Sequence, residues 1–201
     1  PAFERIADPA RMQAGLLSAV FLDQPPARQL ELIRLALPTV RNVGILVGAD
    51  SREHSATFER AAKERGMQLV AAPVGQGGLF AALQQVLADA GVLLALPDPA
   101  VFNSETAANI LMAAYRRQVP LVGFSPAYVK AGALLALYST PAQVGTRGGD
   151  VLRQNLAGRS LPPPQWSREF TVKVNQDVAR SLGFALDEAR LGEQLREGER
   201  P

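Results

Sequence analysis

Cysteine is absent from this chain of 201 residues, and histidine occurs once. Those two shortages remove disulfides, thiolate nucleophiles and the Cys/His zinc sites together. A chain without thiols suits an oxidising compartment, although the absence only permits one. No apolar run approaches the ~20 residues that a membrane-spanning helix needs. An excess of one charge is also lacking. The 21 Lys and Arg residues stand against 19 Asp and Glu, and the basic residues are scattered. Phosphate backbones are bound by clustered Lys and Arg, so nucleic acid is not expected as a partner. The chain opens Pro1-Ala2-Phe3 with neither an initiator Met nor a signal peptide, and reads as a processed or trimmed piece.

What the chain does have is apolar residues, 47% of the total, enough to bury a core. They fall into a repeating order of short apolar run, polar turn and amphipathic stretch. The runs 42–48, 68–74, 91–96 and 119–124 are continuously apolar, as strands buried on both faces are. Between them, 55–65, 79–90 and 106–118 carry apolar residues at helical spacing: Phe58, Ala61 and Ala62 in the first, Leu79, Ala82, Leu83, Val86 and Leu87 in the second, Ile110, Ala113 and Ala114 in the third. Strands alternating with helices of this length predict βαβ units and a parallel sheet. Towards the ends, 15–22 reads as a strand, 24–37 as a helix, 133–138 as a strand and 141–156 as a helix. Pro162-Pro163-Pro164 is a stiff connector, 169–174 alternates as a half-exposed strand, and 178–182 and 188–196 are short helices.

In an open parallel sheet, ligands sit beyond the carboxyl ends of the strands. This directs attention to Asp50 and Ser51 after the first central strand, and to Gly75-Gln76-Gly77-Gly78 after the second. Asp98 between Pro97 and Pro99, with Phe102 and Asn103, follows the third, and Ser125 and Tyr128 follow the fourth. Asp50 or Ser51 either meets a ligand or caps the helix that starts near Glu53. The glycine turn lacks the Gly-Lys-Ser/Thr ending of a phosphate loop and the spacing of a dinucleotide fingerprint, so it is a flexible connection. The two prolines restrict the backbone around Asp98 and hold its carboxylate in a defined place. Tyr138 ends a strand just before a helix cap at Thr140-Pro141. Rings with neighbouring hydroxyls suit a small, partly apolar ligand. His54 has no acidic orienter in reach and is read as a surface residue. No carboxylate cluster suggests a metal, and no cofactor is expected. Gly145, Gly148 and Gly149 lie inside a helix, each at a cost of up to about 1 kcal/mol relative to alanine. Such a cost implies close packing against another backbone.

The order of several segments goes further. Val119-Pro120-Leu121-Val122-Gly123-Phe124-Ser125, then 129–135 and Tyr138, then Gln143-Val144-Gly145, the 156–162 segment, Phe170-Thr171-Val172-Lys173-Val174-Asn175 and Ala179-Arg180-Ser181-Leu182-Gly183 together resemble the ABC-transporter substrate-binding protein family whose ligands include tryptophan and tyrosine. Upstream, Leu30-Glu31-Leu32-Ile33, Pro38, Arg41 and Val43-Gly44-Ile45-Leu46 fit as well. The resemblance implies α/β architecture of the type I periplasmic-binding fold, with parallel-sheet, Rossmann-like lobes. Residues 38–137 and 165–201 would form a nearly complete C-terminal-type lobe. Residues 1–37 and 138–164 would be the remnant of an N-terminal-type lobe whose first part is missing. It also implies a periplasmic protein, its signal peptide upstream of Pro1, that binds a small-molecule ligand between its lobes and delivers it to an ABC permease in the membrane. Cleft positions carried over on this basis are Asp50, Ser51, Asp98, Asn103, Ser125, Tyr128 and Tyr138, with Asp23 and Gln24 from the other lobe. Sheet edges left exposed would favour a homodimer.

Two other readings stay open. The effector-sensing domain of a transcription regulator shares this fold. A small α/β enzyme is the third reading, but no cysteine pair is available for a two-thiol racemase and no Gly-x-Ser-x-Gly elbow is present.

Overall fold

The computed structural model describes residues 7–75 and 77–199. Gln76 of the glycine turn, the Pro1-Ala2-Phe3 opening and the last two residues of the expected 165–201 segment lie outside them. The chain divides into two units, Pro25–Leu137 with Val172–Pro201, and Pro1–Gln24 with Tyr138–Thr171. The chain passes between them three times.

The larger unit is a doubly wound α/β layer. Its elements in order are α2 (Pro26–Ala36), β2 (Asn42–Val47), α3 (Ser55–Lys63), β3 (Gln68–Pro73), α4 (Gly78–Asp89), β4 (Val92–Leu94), α5 (Ala107–Arg116), β5 (Leu121–Gly123), α6 (Pro126–Ala131), β6 (Leu135–Tyr138), β8 (Thr171–Val174), α8 (Gln176–Ser181) and α9 (Glu188–Gly198). The sheet order is β3-β2-β4-β5-β6-β8, and every pairing from β3 to β6 is parallel. Chain order therefore reverses between β2 and β4, so the connections on either side leave on opposite faces. Burial on both faces explains the continuous apolar runs of β2, β4 and β5, where Val43, Ile45, Leu46, Leu93 and Leu94 are at most 1% exposed. The run 68–74 departs from that expectation, because β3 is the edge strand and Ala72 is its one buried residue.

The helices bury the faces expected of them. Phe58, Ala61 and Ala62 are the buried residues of α3, and Ala82, Leu83, Val86 and Leu87 those of α4. In α5, Leu111 takes the buried place expected for Ala113, beside Ile110 and Ala114. One helix, α6, went unread because its Pro126 start follows Ser125 without a side-chain cap and its six residues are too few for periodicity.

The dividing lines fall at 24/25 and 171/172, not after 37 and 164. Helix α2 is the physical reason for the first. It buries Leu30, Leu32, Ile33 and Ala36 and packs on α3 and α9, which places it in the larger unit. Arg28 secures that packing with a two-pronged ion pair to Glu199 at 2.5 and 2.8 Å.

The smaller unit holds α1 (Pro9–Gln13), β1 (Val20–Phe21), α7 (Pro141–Leu156) and β7 (Gln165–Trp166). Only Val20 and Phe21 of the expected 15–22 strand pair, in parallel with Gln165 and Trp166. Helix α7 begins as expected at Thr140, whose hydroxyl accepts from the Gln143 amide while the Gln143 side chain accepts from the Thr140 amide.

Candidate functional site

The carboxyl ends of β2 and β4 meet where the sheet order reverses, the position at which open α/β sheets bind ligands. Asp98 ties them together. Its Oδ2 accepts from the amide of Ser51 at 3.0 Å and from the Ser51 hydroxyl at 2.7 Å. Its Oδ1 accepts from the amide of Ala100 at 3.1 Å. Ser51 Oγ in turn accepts from the amide of Gly48 at 2.9 Å. Asp98 is fully buried and Ser51 is 5% exposed. Gly48 is glycine because a Cβ there would overlap the carboxylate.

Two expectations change here. Ser51 does not cap the following turn by its side chain. Ser51 is the backbone cap of a 3-10 turn at Arg52–His54, and its hydroxyl is committed to Asp98. Asp98 is held in a defined place, as its prolines imply, but facing inwards. A buried carboxylate with three donors shapes both loops and presents no oxygen to solvent.

Asn103 also works within its own loop. Its Oδ1 accepts from the amides of Glu105 and Thr106, and its Nδ2 donates to the carbonyl of Pro99 at 2.9 Å. Thr106, which sequence reasoning passed over, fastens the same loop by donating its hydroxyl to Val101 at 2.7 Å. The signal was an Asn and a Thr three residues apart at a helix start.

Beside this tied loop lies an aromatic cluster. Phe124 and Tyr128 have ring centroids 4.8 Å apart, and Phe102 meets both edge-on at 6.4 and 6.2 Å. Phe102 and Tyr128 are buried, whereas Phe124 is half-exposed at the end of β5. Gly123 admits the ring of Tyr128 because a Cβ there would overlap it. Burial pushes the Tyr128 hydroxyl above its ordinary pKa. Ser125 is half-exposed, and its hydroxyl makes no hydrogen bond among the described residues. Asp50 is exposed on the loop after β2.

The remaining candidates belong to the smaller unit. Gln24 is buried and donates to the Ser139 hydroxyl at 2.8 Å, which donates to the carbonyl of Glu169 at 2.8 Å. This chain of bonds joins the three segments that lead towards the other unit. Asp23 and Tyr138 are half-buried beside it. A separate cavity of about 200 Å³ is lined by Gln143, Thr146, Arg147 and Asp150 of α7 and by residues 167–169. Among the described residues, no group of three or more His, Asp or Glu could hold a metal ion.

The sequence profile described as ABC transporter substrate binding protein matches residues 15–194. The chain belongs to that family. The sequence resemblance to it is thus borne out, as are the α/β class and the periplasmic-binding fold. A conserved domain protein from Vibrio cholerae is 25% identical with a TM-score of 0.65, the match covering 84% of this chain and 59% of that one. An ABC domain in complex with L-Trp from Streptococcus pneumonia is 19% identical with a TM-score of 0.64, over 83% of this chain and 58% of that one. A substrate-binding protein with adhesive properties from Clostridium difficile, in its ligand-free, open form, is 20% identical with a TM-score of 0.65, over 85% and 59%. At such identity the last two speak to the fold alone. The chain spans about three fifths of the length of each of these relatives. No curated protein matches it.

Proposed function

We infer that this chain is part of the solute-binding component of an ABC importer. It captures a small planar organic molecule of the aromatic amino acid class at the carboxyl end of the larger unit's sheet, and the whole protein delivers it to a membrane permease from the periplasm. The observation that carries the ligand class is the half-exposed Phe124 ring, braced by Tyr128 and Phe102 next to the unoccupied Ser125 hydroxyl. A braced ring offers a stacking face at little cost in side-chain entropy, and a neighbouring hydroxyl orients a polar group. Family membership supports a solute-binding role, and the L-Trp complex of the Streptococcus relative is consistent with the ligand class.

The roles divide accordingly. Ser51, Asp98 and Asn103 hold the loops that frame the site, Phe124, Ser125 and the edge of Tyr128 face the ligand, and Asp50 lies at the rim. A binding role also fits the chemistry of Ser51. Its hydroxyl is buried and donates to Asp98, which also accepts the amides of Ser51 and Ala100, so the pair is spent on holding the two loops.

Calorimetric titration of the full-length protein with tryptophan, tyrosine, phenylalanine and free nucleobases tests the reading. Binding of an aromatic amino acid is expected, with Phe124→Ala weakening it about tenfold, or ~1.4 kcal/mol. Binding of none of the three amino acids would remove the ligand class. An unchanged Kd in Phe124→Ala would remove the site.

A further inference from the structure

Helix α7 turns a polar stripe towards residues 167–169. Gln143, Thr146, Arg147 and Asp150 stand at i, i+3, i+4 and i+7, the spacing at which a helix presents one face. All four line the cavity of about 200 Å³ that the helix forms with Ser167, Arg168 and Glu169. A stripe that faces other protein is ordinarily apolar, and polar groups placed there need partners. Several have theirs. The Gln143 side-chain oxygen is used in the Thr140 cap, and the Asp150 carboxylate pairs with Arg153. Ser167, 1% exposed, accepts from the amide of Glu169 at 3.2 Å. Arg147 is different. Its Nη2 donates to Gln165 Oε1 at 2.5 Å, while its Nε is buried with no hydrogen-bond partner among the described residues. Gln165 Nε2 is a second buried donor in the same condition. Exchanging the oxygen and nitrogen of Gln165 would set a donor against Arg147, so their bond fixes which end is which. Both orphans are donors, and an acceptor is what the place lacks.

The charge of the wall narrows the acceptor. Arg147 and Arg168 are its cations. Of its two carboxylates, Asp150 is answered by Arg153, which lies outside the lining, whereas Glu169 is exposed and retains its charge. One positive charge is left over. A single anionic charge balances it, and a second would meet Glu169 uncompensated. A guanidinium offers parallel N–H groups that match the two oxygens of a carboxylate. The cavity is also smaller than the roughly 300–1,000 Å³ typical of sites for drug-sized molecules. We propose that it binds a small monocarboxylate. Arg147 Nε donates to the carboxylate, Arg168 and the Thr146 hydroxyl lie beside it, and Glu169 excludes dianions. The site lies wholly within the smaller unit and does not depend on the ligand proposed above.

Calorimetric titration of the full-length protein with sodium acetate and with sodium sulfate, at an ionic strength held constant with sodium chloride, tests the site. Acetate is expected to bind with a Kd on the order of 1 mM. Sulfate should bind about tenfold more weakly, because its second charge faces Glu169. Arg147→Gln should abolish acetate binding. Arg147→Lys, which keeps the charge but not the fork of donors, should weaken it about tenfold. Glu169→Gln, at an exposed position, should bring sulfate up to the affinity of acetate, and it reads the same site if Arg147→Gln fails to fold. Absence of saturable acetate binding would overturn the proposal. So would an unchanged acetate Kd in a folded Arg147→Gln protein, or a sulfate affinity that Glu169→Gln does not raise.

Discussion

The larger unit buries its inner strands on both faces, whereas the smaller unit pairs two short strands and turns a leucine and glycine stripe outwards. Both were built from the same vocabulary of apolar run and amphipathic helix. What separates them is closure. In the larger unit the helices find strands or other helices to cover, and α3, α4 and α5 each bury three or four residues of their apolar faces. In the smaller unit α7 has a strong start and a helical stripe but little to lie on. A helix, once capped, does not need a sheet to be helical, yet it needs one to be buried.

The largest test of that contrast is a pair of truncations. Ile45→Ala, in the middle of the larger sheet, should cost about 3–4 kcal/mol in urea denaturation. Leu156→Ala in the same chain should change stability by less than about 0.5 kcal/mol. Comparable losses from the two would erase the distinction between a closed and an open unit.

Asp98→Ala comes next, at about 3 kcal/mol, because it strands the buried donors of Ser51 and Ala100. A normal urea midpoint combined with lost ligand affinity would reassign Asp98 from holding loops to touching ligand. Gln24→Ala, in the smaller unit, removes one buried bond to Ser139 and should cost about 1 kcal/mol. Faster exchange of the residues around Ser139, with β2 unaffected, would localise that effect.

The smallest effect is electrostatic. The hydrogen bond from Arg34, with the charges of Arg34 and Arg65 beside it, holds the Glu31 carboxyl below its usual pKa. Its contribution is therefore present above the unfolded-state pKa and disappears as pH falls through the lowered folded value. Glu31→Gln should be slightly less stable than the parent at neutral pH and equal to it once the parent's Glu31 is protonated. Acid titration of the two denaturation midpoints measures this. A gap that widens on acidification would contradict it.

Much of the fold was legible. Continuous apolarity marked β2, β4 and β5 as doubly buried but misjudged β3, the edge strand; helical spacing placed most of the buried faces of α3 and α4, and Thr140-Pro141 announced the start of α7. The strand ends pointed to the right loops for a site. Less legible was what each polar side chain does there. Asp98, Ser51 and Asn103 read as ligand-facing because they are polar residues on loops, but such residues also satisfy backbone donors. The choice depends on partners 47 positions away in the case of Ser51 and Asp98.

By itself, then, the sequence determined the order of elements, the parallel α/β class and the places where loops gather, since these follow from local periodicity and chain connectivity. The tertiary structure alone decided that Asp98 faces inwards, that α2 belongs with α9, and that α7 presents its glycines and leucines to an open side. Each of those depends on which distant segment arrives as a neighbour, and burial and hydrogen bonding are set by neighbours in space.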